Sequence, residues 1–178
     1  AQESEAALAR AIQALDDMAA SHDTVAGLTA AAGVHRPRAN LLHFTAHWDS
    51  RYYMYAFYYR TAYCADRCLG FVLGERFITD GWGPWHEAGH MYQGAWEWSD
   101  LTEVSVNLFS LEFQRRLGQP CRLTATDADG LRGVSHWDHA LQVRLRLARF
   151  DDLPVFERLV PLWQLRLAFG VEFWARLH

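Results

Sequence analysis

Apolar residues recur at Ala7, Leu8, Ala11, Ile12, Leu15 and Met18, three and four positions apart with polar and charged residues between them. That spacing predicts an amphipathic helix over 3–18. Ser21, followed by Val25, Leu28 and Ala32 and closed by Gly33, reads as a second, capped helix. From residue 34 the helical period is lost. The stretch 34–63, VHRPRANLLHFTAHWDSRYYMYAFYYRTAY, is rich in aromatic and β-favouring residues broken by polar pairs, which predicts short strands. Residues 64–80 fit either a helix or a hairpin. Helical spacing returns over 82–95 and again over 100–116, where Gly118 and Pro120 stop it. The run QPCRLTATDADGLRGV, residues 119–134, carries the turn signals Asp129-Gly130 and Gly133 and is the long loop. Helical patterns follow over 136–149 and 153–169, with arginines on the outer faces, and a last short one runs into His178. The prediction is a predominantly helical α+β fold with its short strands in the first half.

Composition narrows this picture. A chain of 178 residues that is 51% hydrophobic is one domain with a sizeable core. We divide it into helices and short strands over 1–80 and a helical half over 81–178. Lys+Arg 17 against Asp+Glu 21 leaves a net charge of -4, so no basic surface is expected for nucleic acid. No run of 18 apolar residues occurs, and the start AQESEAALAR is polar and acidic, so neither a transmembrane segment nor a signal peptide is expected within these residues. Cys64 and Cys68 are spaced for a local disulfide, but two small buried thiols are the favoured reading. Aromatic residues make up 14% of the chain, and Trp82, Trp85, Trp96 and Trp98 cluster around one segment, GWGPWHEAGHMYQ.

In that segment His86 and His90 stand four apart, which on a helix places both imidazoles on one face, as two nitrogen ligands of one zinc ion require. Glu87 adjoins the first and is the candidate general base toward a water attacking a carbonyl. A catalytic zinc needs a third protein ligand. Metzincins place a histidine six positions after the second one, where this chain has Trp96, and their glycine is replaced by Gln93, so that arrangement is excluded. Glu103, thirteen positions after His90, lies where gluzincins carry a glutamate ligand. The alternative is a capping box, with Asp100 as N-cap and Glu103 its partner. Between two apolar faces of the same helix, however, Glu103, Asn107, Ser110 and Gln114 form a polar stripe that a cap leaves unexplained.

The residues around HEAGH carry a further pattern. H-E-x-G-H-x-x-Q is met at His86, Glu87, Gly89, His90 and Gln93, preceded by tryptophans and Pro84, and E-V-x-x-N-x-x-S-L is met at Glu103, Val104, Asn107, Ser110 and Leu111. Upstream, YYMYAFYYRTAY matches an aromatic segment that precedes the zinc helix. Over residues 48–117 the chain thus resembles the enhancin-like metallopeptidases, viral mucin-cleaving enhancins and bacterial O-glycopeptidases among them. The resemblance implies a zincin-like core in which His86, His90 and Glu103 hold Zn2+ and Glu87 is general base, with Asn107 and Gln93 supporting the ligands. It also implies O-glycosylated or mucin-type substrates, a secreted or cell-surface location and a longer parent chain with other domains. Met91 departs from the family, which usually has a polar residue there.

Trp82 and Trp85 are candidates for substrate stacking as much as for simple packing, and Arg60, Tyr63 and Tyr59 are candidates for contacts to glycan hydroxyls or a developing oxyanion, although a structural role is the favoured reading of these. His43 and His47 share a face only of a regular strand and read as surface histidines, and His136 and His139 read as helix-start residues, although a histidine near the cleft could assist a tetrahedral intermediate. Asp127-Ala128-Asp129-Gly130 resembles the front of a calcium loop but lacks its later acidic ligand, so a turn is expected. Two other functions compete with the peptidase. One is a non-catalytic glycan-binding domain, which the intact Glu87 disfavours; the other is a general gluzincin aminopeptidase, disfavoured by the absence of G-x-M-E-N.

Overall fold

The structure is a computed structural model that describes residues 2–28, 42–57, 60–146 and 149–177. Its first helix, α1 (Gln2–Val25), outruns the expected end at Met18. Ser21 is no N-cap there: Ala11, Ala14, Met18, Ser21, His22 and Val25 are buried along one continuous stripe, so the helix has no reason to stop between them. The remainder of the second predicted helix, 29–33, lies outside the described residues.

Three strands follow, as the change of period predicts. β1 (His43–His47) runs parallel to β3 (Arg60–Cys64), and β2 (Met54–Phe57) pairs antiparallel with β3, in the order β1-β3-β2. Among the described residues β2 is therefore a sheet edge. Cys64 and Cys68 are buried free thiols, Cys68 Sγ donating to the Tyr53 carbonyl at 2.8 Å. The ambiguous stretch after them forms two single-turn helices, α2 (Gly70–Leu73) and α3 (Arg76–Thr79).

The motif helix α4 (Trp82–His90) is shorter than the predicted 82–95. A turn at Met91–Tyr92 and a 3-10 turn at Gly94–Trp96 replace its last part, with Gly94 at φ 40, a backbone setting in which glycine is favoured. The helix predicted over 100–116 is split into α5 (Thr102–Ser105) and α6 (Asn107–Arg116). The break falls beside Asn107, whose side-chain Nδ2 donates to the Glu103 carbonyl at 2.7 Å and so competes with the helical ladder. Asn107 to Phe113 are all buried, which makes α6 the central rod of the fold. After the loop, α7 (His136–Leu145) is capped by Ser135, whose Oγ accepts from the Asp138 N–H at 3.0 Å. α8 (Val155–Phe169) and α9 (Glu172–Leu177) complete the chain.

Two apolar clusters flank α6. Leu108, Phe109 and Leu111 pack with Trp96, Leu159, Trp163 and Trp174, while Phe113 packs with Met18, Phe77, Trp85 and Ala88. α4 lies between α6 and β2, with a glycine facing each, and Gly89 sets the approach to α6. A Cβ at Gly83 would stand 2.5 Å from Met54 Sδ, and one at Gly89 would stand 2.9 Å from Val106 Cγ2. No described helix is long and apolar enough to cross a membrane.

Candidate metal centre

The close approach of α4 to the α5–α6 bend delivers side chains from both onto one point. His86 Nε2 lies 3.2 Å from His90 Nε2 and 3.1 Å from Glu103 Oε2, and His90 Nε2 lies 3.7 Å from the same oxygen. Among the described residues this is the group of histidine, cysteine and acidic side chains whose ligand atoms converge within 4.8 Å.

The orientation of both rings follows from their far nitrogens. Asn107 Oδ1 accepts from the Trp82 indole N–H at 3.1 Å, and Asn107 Nδ2 donates to a carbonyl, so the amide has one possible orientation. Oδ1 also faces His86 Nδ1 at 2.9 Å, which must therefore be the N–H. The same logic holds on the other side. Gln93 Nε2 donates to the Thr102 carbonyl at 2.6 Å and to Ser105 Oγ at 2.7 Å, leaving Oε1 to accept from His90 Nδ1 at 2.9 Å. In their neutral forms both imidazoles thus aim Nε2 lone pairs at each other and at a carboxylate. Such an arrangement is repulsive without a cation between the three atoms. Ligands at roughly 2.0–2.1 Å from a tetrahedral zinc stand about 3.3 Å apart, and the observed separations fit that ion.

The titrating groups respond to the same crowding. When the rings are also protonated at Nε2, hydrogen bonds from His86 and His90 hold the Glu103 carboxyl well below the usual carboxylate range. Burial opposes charging His90, but the bonds to Glu103 and Gln93 outweigh it and raise its pKa. Glu87 is different. Burial pushes its carboxyl upward and Glu103 adds to this, against the pull of His86, His90 and a hydrogen bond from the Ala56 backbone.

These residues form the floor of an open cleft of about 690 Å³. Met54, Tyr55, Ala56 and Phe57 of β2 make one wall, and Gly94, Glu97 and Thr102 stand on the other.

The other predicted site residues do not meet here. Trp85 is 1% exposed and donates its indole N–H to the Phe77 carbonyl at 2.9 Å, so it is a core residue and no substrate platform. Tyr63 is fully buried, where desolvation drives its phenol pKa upward, and it does not line the cleft. Trp82 does not line the cleft; its indole supports Asn107 instead. Arg60 begins β3 and also lies outside the cleft lining, and Tyr59 is outside the described residues. His43 and His47 sit on β1, while His136 and His139 bond Glu157 Oε1 at 3.1 and 2.7 Å, apart from the metal cluster. The Asp127–Gly130 run is a turn, with Asp127 and Asp129 at positive φ. Glu103 is not bound as a capping-box partner: α5 has no side-chain cap. Sequence reasoning missed Ser105, which fixes the Gln93 amide, and the Ala56 N–H. The first carried the signal of a polar residue on a buried helix; the second, a backbone group, carried none.

The chain belongs to the Peptidase M60, enhancin and enhancin-like family, which matches it over residues 2–178. Solved structures agree with the fold. A functionally unknown conserved protein from Bacillus anthracis str. Ames superposes with a TM-score of 0.77 at 32% identity, covering 93% of this chain and 33% of that one. A metallopeptidase from Bacteroides thetaiotaomicron gives 0.69 at 22% identity, covering 94% of this chain and 29% of its own. A metallopeptidase in complex with Tn antigen gives 0.70 at 22% identity, with 94% and 32% covered. The chain thus spans about a third of the length of these proteins. No curated protein matches it.

Proposed function

We propose that this chain is the metal-binding core of a zinc-dependent endopeptidase that hydrolyses peptide bonds in O-glycosylated, mucin-type proteins outside the cell. The observation that carries the reading is the convergence of His86, His90 and Glu103 on one point, with Glu87 beside them on the floor of an open cleft. Zn2+ held by those three side chains would supply a Lewis acid for the scissile carbonyl and favour ionisation of water there.

The protein's own groups account for the rest. β2 alternates along its length: Tyr53 accepts from Cys64 N on β3, which leaves the backbone groups of Met54 and the Ala56 carbonyl pointing outward, the Ala56 N–H being held by Glu87. An extended substrate segment can lie along this edge by main-chain hydrogen bonds. Glu87, in its partly desolvated position, takes the proton of the attacking water and delivers it to the departing amine nitrogen. Asn107 and Gln93 keep both histidines in the tautomer that leaves Nε2 free.

The preference for glycosylated substrate is supported by family membership and by a fold-level relative whose structure is a complex with Tn antigen. Cleavage of a mucin peptide bearing O-linked sugar and of its bare twin, followed by mass spectrometry in the full-length protein, tests it. Cutting of the glycosylated peptide alone, abolished by Glu87→Gln and by a chelator, is the expected result. Equal cutting of both peptides would remove the glycan from the proposal, and no cutting of either by a zinc-loaded protein would remove the peptidase.

A further inference from the structure

Behind the metal cluster a chain of contacts leads out of the site to the long loop. Trp82, whose N–H fixes the Asn107 amide, has the Arg122 guanidinium 4.7 Å above its ring centroid, and Arg122 also stands 4.9 Å from the Phe156 ring. Phe156 closes the triangle, with its ring 5.8 Å from that of Trp82. Arg122 is held in turn from the far side. Its Nε donates to Asp129 Oδ2 at 2.9 Å, and its Nη2 bonds the other oxygen of the same carboxylate. Asp129 Oδ2 is shared with His136 Nε2 at 2.9 Å, and His136 Nδ1 is tied to the buried Glu157 at 3.1 Å.

We infer that Arg122 is a positioning residue for the metal centre, acting through the Trp82 indole on Asn107 and through Asn107 on His86. The inference rests on the metal reading above. The indole N–H can reach Asn107 Oδ1 only while the ring plane is held, and a bidentate, carboxylate-anchored guanidinium over its face holds it. The cation also draws electron density from the indole and strengthens its N–H as a donor. That N–H is one of two bonds that keep the Asn107 oxygen toward His86; the other is Nδ2 to the Glu103 carbonyl. Release of the indole therefore loosens the tautomer and angle of His86 without removing any ligand.

The test is a double-mutant cycle read as Zn2+ affinity, by chelator competition, and as the visible spectrum of the Co2+-substituted full-length protein. Arg122→Met alone is expected to weaken Zn2+ binding about three- to tenfold, and Trp82→Phe, which deletes the N–H, about tenfold or more. In the Trp82→Phe background Arg122→Met should add nothing, and Arg122→Lys should recover part of the loss. Asp129→Asn, which unseats the guanidinium from the loop side, is expected to reproduce Arg122→Met and carries the test should that variant not fold. Unchanged affinity in both Arg122→Met and Asp129→Asn, or equal losses with and without the indole N–H, overturns the inference while leaving the metal site standing. A wild-type protein that takes up no Zn2+ overturns both.

Discussion

Gly89 is packed so tightly beneath Val106 that a Cβ on it would meet Cγ2 at 2.9 Å and the carbonyl oxygen at 3.2 Å. The contact sits between the two ligands of α4 and the bend that carries Glu103. Gly89→Ala must push the helices apart, at a stability cost of about 1–3 kcal/mol. We expect it to lower Zn2+ affinity as well, because Glu103 moves with the bend. Thermal melts of the metal-free protein separate the first effect from the second, and a variant that melts lower but binds zinc as the wild type does contradicts the geometric link.

Gln93 contributes nothing to the metal directly, yet it bonds His90, Thr102 and Ser105 at once. Gln93→Ala should reduce zinc affinity by about 10- to 100-fold. Gln93→Glu should be no better, since a carboxylate in place of the amide nitrogen faces the Thr102 carbonyl. Competition with a chromophoric chelator measures both.

Removal of the metal should be felt as lost stability. Nε2 of His86, Nε2 of His90 and the Glu103 carboxylate repel one another unless a cation holds them, so a chelator is expected to lower the Tm by several degrees, following the linkage of ligand binding to folding. The shift should vanish in His90→Ala and persist in Glu87→Gln. Differential scanning calorimetry with and without chelator checks this, and a Glu87→Gln protein blind to chelator would show that Glu87 belongs among the ligands.

Away from the site, Glu112 is 3% exposed and bonds Arg166 Nε at 2.7 Å and Arg115 Nη2 at 2.6 Å. Burial alone would raise its pKa, but the two guanidinium partners reverse that and depress it. A depressed folded value means that Glu112 contributes its full stability above the unfolded carboxylate pKa of about 4.3 and loses it as pH falls through the lower folded value. Glu112→Gln should cost about 3 kcal/mol at pH 7, since it leaves the α8 arginine without its anionic partner. The gap to wild type should close as the pH drops below about 4. Urea titrations at pH 7 and pH 3 give both values, and a gap that stays constant would mean that Glu112 does not titrate with folding.

Much of the candidate metal centre is legible because it is local in the chain: His86, Glu87, His90, Gln93, Glu103 and Asn107 fall within α4, the turn after it, α5 and the first residue of α6. Helical spacing alone set the two histidines on one face. The polar stripe gave Asn107 and Glu103 a reason to look away from the core. Other features lie beyond what residue types encode. An aromatic side chain reads the same whether it lines a cleft or a core, which is why Trp85 and Tyr63 are candidates for both from the sequence and are found buried. The break at Val106 leaves no mark on the apolar periodicity, and the backbone itself stays helical there, at φ -56 and ψ -33. Ser21 looked like a cap because polar residues at helix starts and polar residues on a buried stripe have one alphabet.

The complete burial of Asn107 to Phe113 also sets a rod that cannot drift behind the metal-binding residues, while the β2 wall of the cleft can. Every change along that part of α6 is transmitted to packing on both sides, whereas β2 has a free edge among the described residues and carries Phe57 largely in solvent. Diversification of substrate preference among relatives of this chain should therefore concentrate in the edge strand, and a library confined to residues 54–57 is the economical place to retune it.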